Sequence, residues 1–103
     1  MYMRHKYLFK NYEGGRWIRL KSNKSMSELI RYLKGVYDIV MVYDKRGIIY
    51  DSLLIKYGLK TPFRAAGMNV NHGWSRSFYR KIATENFKNC WKYAKTLKEF
   101  ENE

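Results

Sequence analysis

Apolar and polar positions alternate from Met3 to Tyr12, with Met3, Tyr7 and Phe9 on one side and Arg4, Lys6 and Lys10 on the other, the pattern of a half-buried strand. Glu13-Gly14-Gly15 supplies a turn, and Arg16 to Lys21 alternates again, its Ile18 and Leu20 matching the apolar side. The pattern predicts a β-hairpin whose outer face carries Arg4, Lys6, Lys10, Trp17, Arg19 and Lys21. Ser25-Met26-Ser27-Glu28 is a capping box, in which the serine hydroxyl accepts from a first-turn amide while the glutamate reaches back. A helix follows, with Met26, Leu29, Ile30 and Leu33 recurring at helical spacing and Gly35 placed to stop it at positive φ.

Tyr37 to Tyr43 is almost continuously apolar and β-branched, as expected of a strand buried on both faces or central in its sheet. Asp44-Lys45-Arg46-Gly47 turns the chain, and Ile48 to about Leu53 returns as the second strand of another hairpin. Between Leu54 and Ser75 the signals are mixed. The run Tyr57 to Pro62 reads as the end of one short helix and the start of another at Pro62, and Gly67 to Gly73 reads as loop. From about Ser75 to Phe100 a long amphipathic helix is expected, with Tyr79, Ile82, Ala83, Phe87, Cys90, Ala94 and Leu97 on one side. The fold class is therefore α+β: a mainly antiparallel four-stranded sheet of two hairpins, packed by two or three helices. At 103 residues, without repeats or linker-like composition, the expectation is one domain over 1–103.

Composition narrows the function. No apolar run approaches the roughly 20 residues that span a bilayer, and Met1 to Lys6 has no apolar stretch behind it, so the expectation is a cytoplasmic chain without a membrane partner. Cys90 is the only cysteine, which excludes an intrachain disulfide and a multi-thiolate zinc site. No carboxylate pair has a His or Cys at ligand spacing, and neither a metal nor a cofactor is expected. The formal charge of +12 exceeds what solubility asks of a small domain, and 17% aromatic content argues against a disordered basic tail. Lys, Asn, Ile and Tyr make up 37 residues, which A/T-rich codons produce, and this points to a low-GC bacterium, its phage or an archaeal virus as the source.

The charge is segregated. Residues 1–34 carry a net +7 and residues 52–84, which hold no acid, carry +6; residues 35–51 carry −1 and residues 85–103 are neutral. Two segments thus supply the positive field expected of a polyanion-binding face. On the outer face of the first hairpin, cations interleave with Trp17 and Tyr12, a combination that suits phosphates beside unpaired bases. In the second segment Lys56, Lys60, Arg64, Arg76, Arg80 and Lys81 include neighbours of the helix starts expected at Pro62 and Ser75, where free amides favour anions. Arg16 completes the candidate set of Arg4, Lys6, Lys10, Trp17, Arg19, Lys21, Lys60, Arg64, Arg76, Arg80 and Lys81.

Other features have simpler explanations or thinner support. Lys81, Lys88, Lys92 and Lys95 share a stripe with Glu85 and Glu99, as on an ordinary solvated helix face. Asp38, Asp44 and Asp51 bracket the second hairpin and are assigned to turn and edge chemistry. Ser52 to Met68, with Gly58 in its turn, has some likeness to a helix-turn-helix, but Arg64 falls where that motif wants an apolar residue. His72, in a loop between basic segments, is the one candidate general acid or base for phosphodiester cleavage. Gly35-Val36-Tyr37 followed by Ile48-Ile49-Tyr50 resembles the paired strand motifs of GIY-YIG nucleases over about 30 residues. Asp51 stands where that pattern has glycine and 34 residues precede the first triplet, so no family is assigned.

The resulting expectation is a nucleic-acid-binding protein without enzymatic activity, favouring RNA or single-stranded DNA over duplex. The alternatives are a phage or mobile-element factor that inhibits or modifies a host nucleic-acid or ribonucleoprotein machine, and a metal-independent endoribonuclease using His72.

Overall fold

The structure, a computed structural model, describes residues 5–11, 15–58, 63–65, 68–70 and 73–102, with the backbone alone for residues 57, 63–65, 68–70 and 100. Strands β1 (His5–Lys10) and β2 (Ile18–Ser22) form the expected hairpin, with Tyr7 opposite Leu20 and Phe9 opposite Ile18. Helix α1 (Met26–Val36) follows, then β3 (Ile39–Asp44) and β4 (Gly47–Asp51) as a second hairpin, then the short helix α2 (Ser52–Tyr57). Strands β5 (Phe63–Ala65) and β6 (Met68–Val70) pair with each other. Helix α3 (Arg76–Tyr93), strand β7 (Lys95–Thr96) and helix α4 (Leu97–Glu101) complete the described elements.

The architecture is α+β. Its main sheet has five strands in the order β4-β3-β1-β2-β7, antiparallel except where β7 runs parallel to β2. The expected four antiparallel strands are present, and the fifth changes the sheet to a mixed one. Its origin is a break in the expected long helix. At Ala94 the backbone becomes extended (ψ 145°), and the Lys95 amide donates to the Trp17 carbonyl at 3.2 Å. The otherwise open β2 edge thereby gains a partner. Leu97 keeps helical spacing from Ala94, so periodicity alone could not show that the chain crosses the sheet edge between them: Ala94 packs on one face of the sheet and Leu97 on the other.

Both faces of the sheet are covered. Tyr7, Phe9, Ile18, Val40 and Val42 pack beneath α1 with Leu29, Leu33 and Tyr37, while Leu8 and Met41 pack beneath α3 with Tyr79, Ala83 and Phe87. The strands β1 and β3 are central, and Tyr7, Leu8, Phe9, Val40, Met41 and Val42 have no solvent exposure. For β3 the continuous apolar run gave that placement. For β1 it corrects the half-buried reading, because α3 lies over the face on which Lys6 and Lys10 sit.

Local chemistry explains several boundaries. Strand β4 ends at Asp51 because the Asp51 carboxylate caps α2, accepting from the amides of Leu53 at 2.9 Å and Leu54 at 3.2 Å. Ser52 turns back to accept from the Val40 amide at 3.0 Å. Gly58, at φ 69°, closes α2 with its amide on the Leu54 carbonyl. Ser25 does precede α1, but its hydroxyl meets that of Ser27 and makes no side-chain cap. Gly35 lies inside α1, which runs on to Val36, so it is not the expected stop.

The mixed region follows its reading only at the start, where a short helix ends at Tyr57. Residues 63–65 and 68–70 are strands, which excludes a helix running on from Pro62, removes the helix-turn-helix likeness and replaces part of the expected loop. Pro62 itself lies outside the described residues. Gly35 and Val36 are helical, whereas the nuclease resemblance required them in a strand. No helix among the described residues is long and apolar enough to cross a membrane.

Candidate nucleic-acid interface

Three cations of the first hairpin, Lys6, Lys10 and Arg19, do not lie on an open face. Lys10 is 7% exposed, and its ammonium lies 4.1 Å from the centre of the half-buried Trp17 ring. Tyr43, Phe87 and Trp91 stack in succession beneath and along α3, with centroids 5.2 and 6.1 Å apart. Lys6 faces both Trp91 and Tyr43, at 5.2 and 5.8 Å, and Arg19 lies over Trp91 while donating to its carbonyl at 3.3 Å. These contacts place the positive charge of Lys6, Lys10 and Arg19 against ring faces within the protein. Trp17 is correspondingly not the exposed indole that alternation suggested. Arg16 and Lys21 remain exposed on the β2 side of the sheet.

The second basic segment gathers at the opposite edge. A groove of about 730 Å³ runs along β4, bounded by Leu54 and Ile55 of α2, by Gly58 just after it, and by Arg76, Tyr79 and Arg80 of α3. Ile48 to Asp51 form its floor, and Arg46, from the β3–β4 turn, closes one side. Helix α3 begins at Ser75, as expected, and the Ser75 hydroxyl accepts from the Phe78 amide at 3.1 Å. Arg76 and Arg80 are then one turn apart and reach the same groove.

The arginines differ in what holds them. Arg46 forks onto Asp44 through Nε and Nη2, at 3.2 and 3.1 Å, while its amide donates to the same carboxylate at 2.7 Å. Burial alone would raise Asp44; these bonds outweigh it and hold the acid below its ordinary range. Arg80 donates from Nε to the Ile48 carbonyl at 3.0 Å, which fixes the guanidinium beside the edge strand. Neither Arg76 nor Arg80 forms an ion pair among the described residues.

At the inner wall of the groove the Tyr79 hydroxyl donates to Asp51 Oδ2. Asp51 is 3% exposed, and burial pushes its carboxyl up to about 6 despite the two amides that favour the charged form. The contrast with Asp44 is physical: one buried acid has a guanidinium on it, and the other has a phenol and two amides.

Of the remaining candidates, Lys81 is exposed on α3 beside Arg80, and Arg64 occupies β5 opposite Asn69. Backbone contacts place β5 beside α2 and β6 beside α3. Arg4, Lys60, Tyr12 and His72 lie outside the described residues. Of the expected lysine stripe, Lys81, Lys88 and Lys92 lie on α3, with Lys88 and Glu85 4.0 Å apart, whereas Lys95 and Glu99 lie beyond the break, in β7 and α4. Sequence reading had not grouped Arg46, Tyr50, Asp51 and Tyr79 with this segment. Asp51 was legible as edge chemistry, but its pairing with Tyr79, 28 positions away, carried no local signal.

The two basic segments are also spaced apart. Strand β2 is the third strand from β4 in the sheet, a separation of about 14 Å at the usual strand spacing. No family model matches the chain, and no curated protein or solved structure matches it either.

Proposed function

We propose that this protein is a small nucleic-acid-binding protein without catalytic activity, taking RNA or single-stranded DNA and holding phosphates along the β4 edge. The observation that carries the reading is the pair of guanidinium groups, Arg76 and Arg80, that share one groove with no acid partner among the described residues, in a chain of net charge +12. Lys56 and Lys81 lie exposed on the helices that flank the groove, and extend the cationic rim. Single strands are favoured because the groove has an apolar side, formed by Leu54 and Ile55, for an unpaired base.

Mobility shifts with single-stranded and duplex RNA and DNA, each at two salt concentrations, test this reading. Affinity for single strands is expected to fall linearly in log salt, by roughly 0.7 per phosphate contact. The Arg76→Glu/Arg80→Glu double variant should lose most binding, and Lys88→Glu/Lys92→Glu should lose little. A salt-independent interaction, or binding only to a protein partner, overturns the proposal in favour of a host-interaction factor.

A further inference from the structure

The groove has features that phosphate attraction alone does not call for. Ile55 is 68% exposed at its rim, an apolar side chain left in water beside two arginines. Leu54 continues that apolar side along α2 and packs with the cluster beneath α3, whereas Ile49 and Tyr50 line the β4 edge and pack toward the α1 face. At about 730 Å³ the concavity falls within the roughly 300–1,000 Å³ range of sites that enclose a small ligand. A surface that only tracked a phosphate backbone would need neither the concavity nor the apolar side. One side of the groove therefore offers charge for a phosphate, and the other offers a wall for a flat, weakly polar ring.

Geometry also limits what can bind. Arg80 is pinned through Nε, which leaves its terminal nitrogens for a ligand oxygen. Arg76, a turn earlier on α3, can add a second donor to the same anion. Asp51 contributes no outward acceptor of its own: one oxygen takes two backbone amides and the other takes the Tyr79 phenol.

We propose that the β4-edge groove seats one nucleoside monophosphate unit, with its phosphate on Arg76 and Arg80 and its base against Ile55 and Leu54. The inference rests on the nucleic-acid reading for its biological source, a residue of an unpaired strand, but the same chemistry admits a free mononucleotide. It makes the groove the position at which a strand is anchored.

The test titrates adenosine 5′-monophosphate, inorganic phosphate and adenosine separately into the wild-type chain. Binding is followed by NMR shifts of the Ile55 methyl groups and the Arg80 side chain. The same titrations are run on Ile55→Ser and Arg76→Gln, both at exposed positions where folding is expected to be unaffected. The monophosphate should shift both probes, and Ile55→Ser should weaken it about tenfold while leaving phosphate unchanged. Arg76→Gln should weaken the monophosphate and phosphate alike. Equal affinity for phosphate and the monophosphate, an Ile55→Ser variant with wild-type monophosphate affinity, or no shift at either probe overturns the inference.

Competition separates the two sources. If the monophosphate shifts the probes and displaces a labelled single strand, both proposals stand and the strand uses this seat. Should it bind the groove while no oligonucleotide binds at any salt, the seat stands with a free nucleotide as its ligand, and the nucleic-acid reading fails. If oligonucleotides bind with the expected salt dependence but neither probe moves with the monophosphate, only the seat fails.

Discussion

The Lys10 ammonium lies 4.1 Å from the centre of the Trp17 ring, and Lys10 is buried to 7% exposure by that contact and by α3. Such a pair contributes about 0.5–2 kcal/mol beyond the area it buries. Replacing the indole also opens a gap beside Cys90 and Ala94, which line the shallow hollow next to it. Trp17→Ala should therefore cost about 2–3 kcal/mol of stability in urea unfolding. Its affinity for a single strand, measured where the variant is still folded, should stay within twofold of wild type. A variant of unchanged stability that loses affinity would restore Trp17 as a stacking residue.

That pair shows where the sequence was readable and where it was not. Alternation placed Tyr7, Phe9, Ile18 and Leu20 on one face of the first hairpin, because a two-residue period is a local property, and the structure adds the register that pairs Tyr7 with Leu20 and Phe9 with Ile18. It could not show that α3 covers the other face, since Lys6, Lys10 and Arg19 satisfy a polar pattern equally well in water and against the rings of Trp17, Trp91 and Tyr43. The groove was half legible. Arg76 and Arg80 stand at a recognisable helix start, whereas Arg46 and Tyr79 join them only through the packing of α3 on the β4 edge.

Asp51 should leave a signature in the pH dependence of stability. Its carboxyl rises from 3.8 to about 6 in the folded chain, so between those values the folded state retains a proton that the unfolded state has released. This contribution is fully present below about 4 and is lost as pH rises through 6. A shift of that size corresponds to about 3 kcal/mol. Asparagine can still cap α2 but does not titrate. Across pH 4 to 7, which spans most of that titration, Asp51→Asn should therefore gain on wild type by about 2 kcal/mol, read as the difference between the two urea unfolding free energies. A difference that stays constant with pH would mean that Asp51 has an ordinary carboxyl.

Two glycines at positive φ should respond unequally to alanine. Gly58, at φ 69° and ψ −172°, adopts a conformation nearly confined to glycine but has open space where a Cβ would lie, so Gly58→Ala should cost about 2 kcal/mol from backbone strain alone. Gly47, at φ 112°, would place its Cβ 2.7 Å from Thr84 Oγ1. That hydroxyl is not free to move, because it accepts from the Ile48 amide at 3.2 Å and donates to the Arg80 carbonyl at 2.7 Å. Gly47→Ala should lose about 3 kcal/mol, strain and steric displacement together. Equal melting temperatures for the two variants would show that α3 does not press on the β3–β4 turn.

The crossing at Ala94 makes a prediction that a continuous helix does not share. Were the helix to run on to Phe100, Leu97 would lie on the α3 face, three residues beyond Ala94 and near Cys90. In the structure the chain instead pairs Lys95 with Ile18 and Thr96 with Arg19, and Leu97 packs with the cluster beneath α1. Glu101 of α4 accordingly stands near Tyr37; burial is the main cause of that phenol's raised pKa, with charges at Tyr32 and Glu101 adding to it. Nuclear Overhauser contacts from the Leu97 methyls should therefore reach side chains of the α1-face cluster, such as Ile18 and Leu20, and not Phe87 or Ala83. Leu97→Ala, at a half-buried site, should cost about 1–2 kcal/mol and shift resonances in α1. Contacts from Leu97 to Phe87, with α1 unperturbed by the substitution, would instead require a single helix from Arg76 onward and leave the β2 edge without β7.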